Sequence, residues 1–164
     1  MSERPRPAET ESRCAVFESR CRGRGVRVTP QRLAVYRALA SDATHPTAES
    51  VFARLRRSMP SLSQATVYRI LNTLEREGLV RRVGSTNGAA RFDANMVPHQ
   101  HLVCRRCGRT TDVLIPSARR AMLPRKGLQG FVPEEVDLKV LGLCAPCGAA
   151  RRGAPAARRE RGVR

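Results

Sequence analysis

Most of the reactive chemistry of this chain lies in ten residues, His99-Gln100-His101-Leu102-Val103-Cys104-Arg105-Arg106-Cys107-Gly108. His99 and His101 are two apart, so an extended strand presents both imidazoles on one face. Cys104 and Cys107 form a C-x-x-C pair with Gly108 directly after it, which permits the tight turn that brings two thiolates to one ion. Cys144 and Cys147 repeat the arrangement, again followed by a glycine, Gly148. Two such pairs make a closed, tetrahedral set for a structural Zn(II). The gap between the pairs is longer than in a simple zinc ribbon, so a strand or helix must be held between them. The two histidines are not needed for that site, and they give the chain the means to respond to a second metal.

The chain has 164 residues, enough for one domain or two small ones. Its hydrophobic content is 41%, but aromatics are only 4% and Trp is absent, so two compact aliphatic cores are expected rather than one large one. The net charge of +17 exceeds what solubility requires. It points to a polyanionic partner, nucleic acid ahead of an anionic membrane. Of the 31 basic residues only Lys126 and Lys139 are lysines. Arg is the better bidentate reader of phosphates and base edges. No segment approaches the run of roughly 18 apolar residues that a membrane span needs. The N-terminus lacks an apolar signal region, so a cytoplasmic location is expected. There the six cysteines are thiols or metal ligands rather than disulfides. Cys14 and Cys21, one heptad apart, read as small apolar side chains on a helix face in preference to a redox pair.

The elements that must position these groups can be taken in order. Residues 1–12 are rich in Pro, Glu, Ser and Arg and read as a disordered leader. A helix from Arg13 to about Arg22 leads into a basic turn, Gly23 to Val28. Thr29-Pro30 opens the next helix, with Thr as cap and Pro at the first position. After a loop from Ser41 to Pro46, Thr47 caps a third helix whose core face is Val51, Phe52 and Leu55. A fourth helix runs from Ser61 to Gly78. Ser61 and Gln64 fit a capping box, Val67, Ile70, Leu71 and Leu74 recur at helical spacing, and Gly78 stops the helix. Its other face carries Gln64, Thr66, Tyr68, Arg69, Thr73 and Arg76. A strand from Leu79 to Val83, a turn at Asn87-Gly88 and a strand from Ala89 to Asp93 complete a winged-helix pattern. In that pattern the fourth helix enters the major groove, and the hairpin, with Arg81 and Arg82, touches the backbone.

Asn95 to Pro98 is a hinge-like linker. Beyond the metal stretch, Thr110 to Ile115 reads as a strand. Pro116 and Ser117 begin a helix that Pro124 and Gly127 cut short. Glu135 to Leu143 alternates and reads as a strand delivering Cys144. Residues 149–164 hold six Arg against one Glu and read as a disordered basic arm in nonspecific phosphate contact.

Five motifs now stand in a fixed order. They are Val28-Thr29-Pro30-Gln31-Arg32, His45-Pro46-Thr47-Ala48-Glu49, Ala65-Thr66-Val67-Tyr68-Arg69, His99-x-His101-Leu102-x-Cys104-x-x-Cys107-Gly108 and Gly142-x-Cys144-x-x-Cys147. The chain thereby resembles the ferric uptake regulator family of bacterial transcription factors over roughly residues 20–148. The resemblance implies an α+β chain with an N-terminal winged helix-turn-helix DNA-binding domain (13–94), a hinge (95–98) and a C-terminal α/β dimerisation domain with structural zinc (99–148). It implies a homodimer that represses by binding double-stranded operator DNA when loaded with metal. It implies no enzyme activity, no small-molecule substrate and no membrane partner. Arg27, Thr29 and Arg32 join Gln64, Thr66, Tyr68, Arg69, Arg81 and Arg82 as expected DNA-facing residues. Cys104, Cys107, Cys144 and Cys147 match the family's structural zinc ligands. The regulatory ligands match His45, Asp93, His99, His101 and Asp112.

Five N/O donors without sulfur suit Fe(II), Mn(II) or Co(II) at the regulatory site better than tetrahedral zinc, with Fe(II) or Mn(II) the expected ion. The carboxylate at Asp112 looks like the peroxide-sensing branch, in which a ligand histidine is oxidised and DNA is released. Arg69 resembles the iron-uptake branch instead. Val136 and Lys139 stand where a His and a Glu are common in the family, so no third metal site is expected. The alternatives are an iron-uptake regulator without peroxide sensing, or a zinc-, manganese- or nickel-sensing member. Outside the family the alternative is a zinc hydrolase, which would need an open zinc with a water and a general base.

Overall fold

The computed structural model describes residues 5–86, 88–115, 130, 132 and 138–152. The element order is α1 (Pro7–Gly23), α2 (Pro30–Ala40), α3 (Ala48–Leu55), α4 (Gln64–Arg76), β1 (Arg81–Thr86), β2 (Ala89–Asp93), β3 (Gln100–Cys104), β4 (Thr110–Val113), β5 (Lys139–Gly142) and α5 (Ala145–Arg152). α1 starts six residues before the expected Arg13, so Pro7 to Ser12 are helical rather than a disordered leader. The cause is local. Pro7 sits in the first turn, and Glu9 pairs with Arg13 at 2.6 Å, one helical turn on. Thr10, Cys14, Phe17 and Cys21 fall at helical spacing and are buried. Phe17 stacks on Tyr36 of α2 with ring centroids 4.0 Å apart. Cys14 and Cys21 are free thiols inside this contact, as small apolar side chains.

The caps of α2 and α3 form where the sequence places them. Thr29 Oγ1 accepts from Arg32 N at 3.2 Å, and Thr47 Oγ1 from Ser50 N at 3.3 Å. α4 differs. It begins at Gln64 with Ser63 as its cap, whose Oγ accepts from Thr66 N at 3.1 Å, so the Ser61–Gln64 capping box does not form. Leu62 decides this. It is buried in the core that also holds Val67, the staple position, and that burial fixes the next residue as the cap. At the other end Leu79 N donates to Leu74 O and Gly78 N to Glu75 O, closing the helix with Gly78 in the left-handed region at φ 60°.

β1 and β2 form the antiparallel wing, with Arg81 opposite Asp93 and an irregularity between Arg82 and Gly84. β4, β3 and β5 form a second sheet in that order, β3 antiparallel to β4 and parallel to β5. The strands expected at Leu79–Val83 and Thr110–Ile115 are thus shifted or shortened, and β5 covers Lys139–Gly142 of the one expected at Glu135–Leu143, whose residues 135–137 lie outside the described residues. The helix expected at Pro116 and Ser117, with its breaks at Pro124 and Gly127, lies outside the described residues, as does Val136. Ala149 to Arg152 belong to α5, so the basic arm is helical at its start.

The core among the described residues is one cluster running from Cys14 to Ala94, all before the Asn95–Pro98 linker. Past Ala94 the one buried hydrophobic among the described residues is Cys104, itself a candidate zinc ligand. The expected second aliphatic core is therefore not found among the described residues.

Candidate functional site

Three elements and one loop converge on the five N/O donors. Period-two alternation in β3 puts His99, just before the strand, and His101 on one side, and pairing across β3–β4 sets Asp112 opposite His101. Asp93 arrives at the end of β2, and His45 on the loop between α2 and α3. One donor atom from each of His45, Asp93, His99, His101 and Asp112 lies within 4.8 Å of all the others. His45 Nε2 is 2.7 Å from Asp112 Oδ1 and 3.8 Å from Asp93 Oδ1. His99 Nε2 is 3.1 Å from Asp93 Oδ2 and 3.3 Å from Asp112 Oδ1. The Nε2 atoms of His99 and His101 are 3.0 Å apart.

All of these spacings but the 2.7 Å contact of His45 with Asp112, a direct hydrogen bond, fit donors around one cation. With metal–ligand bonds of about 2.1 Å, donors in one coordination shell stand roughly 3.0 to 4.2 Å apart. The Nδ1 of His99 bonds to Val97 O at 2.7 Å, which turns its Nε2 toward the centre. Apart from those imidazole contacts, Asp93 Oδ2 and Asp112 Oδ1 are buried without a hydrogen-bond donor among the described residues. Buried polar atoms are rarely left so, and an ion between the carboxylate oxygens answers that need.

The electrostatics say the same. Burial pushes the Asp93 carboxyl up, but the imidazoles of His101 and His99 outweigh it and bring it down to about 2. Burial opposes charge on Asp112 too, and His45 and His99 hold it well below the usual carboxylate range. Asp112, and then Asp93, raise His99 to about 10. The paired carboxylates demand positive charge between them, from protonated His99 or from a divalent cation. Because the His99 proton competes throughout the neutral range, metal binding at pH 7 is expected to release about one proton per ion, and affinity to rise about tenfold per pH unit. Calorimetric titration in buffers of different ionisation enthalpy measures this; zero release would contradict the assignment of His99 as a donor.

The thiolate cluster is separate. Cys104, Cys107, Cys144 and Cys147 also converge within 4.8 Å. Cys107 Sγ and Cys144 Sγ are 3.6 Å apart, close to the edge of about 3.8 Å of a tetrahedron with Zn–S bonds of about 2.3 Å. Each pair sits on the same turn, with Gly108 N donating to Cys104 O and Gly148 N to Cys144 O, both at 2.8 Å. Gly108 has φ 65°, which glycine adopts without strain. Backbone N–H groups of Cys144 and Cys107 bring the Cys104 thiol down to about 6, the form a metal takes. Hydrogen bonding to Cys144 and burial push Cys147 up to about 12.

The residues expected to face DNA fall on α2, α4, β1 and the segment before α2. Arg27, Thr29 and Arg32 line one notch with Thr66 and Arg69 of α4. Arg32 donates to Arg27 O at 2.7 Å and Arg69 to Thr66 Oγ1 at 3.3 Å. Gln64 is exposed at the start of α4. Tyr68 donates its hydroxyl proton to Glu49 of α3. Arg81 opens β1. Arg82 pairs at the surface with Glu75 of α4, forking onto it at 3.0 and 2.7 Å, and lies over the Phe92 ring. One functional feature escaped the sequence altogether. His45 has φ 54°, and Arg91, which no motif singled out, bonds the carbonyls on either side of that bend. A histidine with positive φ leaves no mark on composition or spacing.

Comparison with known proteins identifies the family. The model of the ferric uptake regulator family matches residues 23–141. The chain is 32% identical over 123 residues to the peroxide-responsive repressor PerR of Staphylococcus aureus, covering 75% of this chain and 83% of that protein. It superposes with a TM-score of 0.65 on a ferric uptake regulator from Pseudomonas aeruginosa with manganese, at 28% identity, over 79% of this chain and 98% of that one. A zinc uptake regulator complexed with zinc and DNA gives a TM-score of 0.64 at 29% identity, over 87% and 97% of the two chains. Among the described residues no helix is long and apolar enough to cross a membrane. The chain belongs to the ferric uptake regulator family.

Proposed function

We propose that this chain is a repressor that grips operator double-stranded DNA as a homodimer when Fe(II) or Mn(II) occupies the site of His45, Asp93, His99, His101 and Asp112. Cys104, Cys107, Cys144 and Cys147 would hold a structural Zn(II). The observation that carries the reading is the origin of the five donors. His45 and Asp93 precede the Asn95–Pro98 linker and His99, His101 and Asp112 follow it, yet all five meet. A ligand that binds one arrangement of two linked parts shifts the population toward it. In a dimer that arrangement sets the spacing of the two α4 helices, which must match half-sites about 34 Å apart. The net charge of +17 and the notch of Arg27, Arg32 and Arg69 supply the phosphate contacts.

We infer further that peroxide lifts the repression. Asp112 and the likeness to a protein named as peroxide-responsive support this. Fe(II) held there would supply the reducing equivalents for peroxide, and His45 and His99 are the oxidisable rings beside it. A second reading, a zinc-responsive member, draws on the likeness to a zinc uptake regulator. The donor set without sulfur favours Fe(II) or Mn(II) over it. The test is operator binding titrated with Fe(II), Mn(II) and Zn(II), each with and without hydrogen peroxide. Fe(II) and Mn(II) should both support binding. Peroxide should abolish only the Fe(II) complex and add one oxygen to the peptide carrying His45 or His99. A clean mass spectrum after Fe(II) and peroxide would leave a metal-responsive repressor without peroxide sensing.

A further inference from the structure

The loop carrying His45 is clasped by β2 in two ways. The backbone holds its far end: Thr47 bridges to Arg91, and Phe92 N donates to Pro46 O at 3.2 Å. The near end is held by one side chain. Arg91 Nη1 donates to Thr44 O at 3.2 Å and to His45 O at 2.8 Å. Its two protons match two carbonyls that flank the bend where His45 has φ 54°, the one positive value at a non-glycine among the described residues. Alternation along β2 puts Arg91 and Asp93 on the same side of the wing, so the residue that shapes the loop and the carboxylate that faces His45 share one rigid strand.

We propose that Arg91 is the positioning residue of the metal centre. It fixes the bend at His45 so that Nε2 meets Asp112, and it ties that donor to the wing. The proposal rests on the metal-site reading above. The backbone clasp at Pro46 and Thr47 does not need the guanidinium, so losing it should free Thr44 and His45 while α3 stays docked.

A double-mutant cycle tests this in the zinc-loaded, full-length protein, with Mn(II) affinity and the Co(II) absorption spectrum as readouts. Arg91→Met keeps the aliphatic stem and removes the donors. It should weaken Mn(II) binding by about tenfold, the scale for loss of an outer-shell partner. In a His45→Ala background the same change should cost less than about twofold, because the donor it positions is already gone. The Co(II) spectra of Arg91→Met and His45→Ala should change alike, and Arg91→Lys should recover part of the loss. Equal weakening in both backgrounds would show a general structural effect and overturn the proposal. If His45→Ala itself leaves Mn(II) affinity unchanged, the metal-site reading falls and the proposal with it. Should Arg91→Met fail to fold, Arg91→Lys takes its place in the cycle, with the same two opposing outcomes.

Discussion

Replacing Cys104 with Ser is expected to release zinc and unfold the C-terminal module while the helical half stays folded. The reason is where the core lies. Every residue of the buried hydrophobic cluster falls between Cys14 and Ala94. Among the described residues beyond it, β3, β4, β5 and α5 have Cys104 as their one buried apolar side chain. The two cysteine turns join the end of β3 to the start of α5, with Arg105 N donating to Gly142 O at 2.8 Å beside them. A zinc ion crossing that junction would do the work of a core, and in small modules it contributes about 10 kcal/mol or more. Hydrogen exchange read by mass spectrometry measures both halves at once. Peptides within 99–113 and 139–148 should lose protection, and those of α2 and α4 should keep it. Native-like protection of β3 in the zinc-free variant would refute the role given to the thiolates.

His99→Ala should leave zinc and helical fold intact and remove metal control. His99 touches both carboxylates and His101, so it is the donor at the middle of the set. Couplings between two binding sites commonly amount to 5- to 150-fold, roughly 1 to 3 kcal/mol. The ratio of operator affinities with and without Mn(II) should fall from that range to near one. Fluorescence anisotropy on labelled operator DNA gives the ratio directly. A variant that still answers to Mn(II) as the parent does would place the regulatory ion elsewhere.

What could be read from the sequence followed from how local each signal is. Thr29-Pro30 and Thr47 carry their whole instruction within one turn, and both caps form as expected. The start of α4 needed a tertiary fact, the burial of Leu62, to choose between Ser61 and Ser63. The start of α1 needed the burial of Thr10 and Cys14, which outweighs the polar composition of Pro7 to Ser12. The nine ligand candidates gather as two separate sets because strand period and the C-x-x-C turn are short-range rules. Arg82 shows the opposite case. Its sequence context offers a basic wing, and only the fold reveals Glu75 within reach. The bend at His45 and its Arg91 clasp join residues nearly fifty apart, and no periodicity announces such a pair.

The Arg82–Glu75 fork has a consequence for how contact with DNA ends. It links the hairpin to α4 at the surface, which favours movement of that helix and the wing as one unit. On the proposed DNA-binding reading, release would then be concerted, and protection of a bound site would fade evenly along its length instead of shrinking inward from its edges.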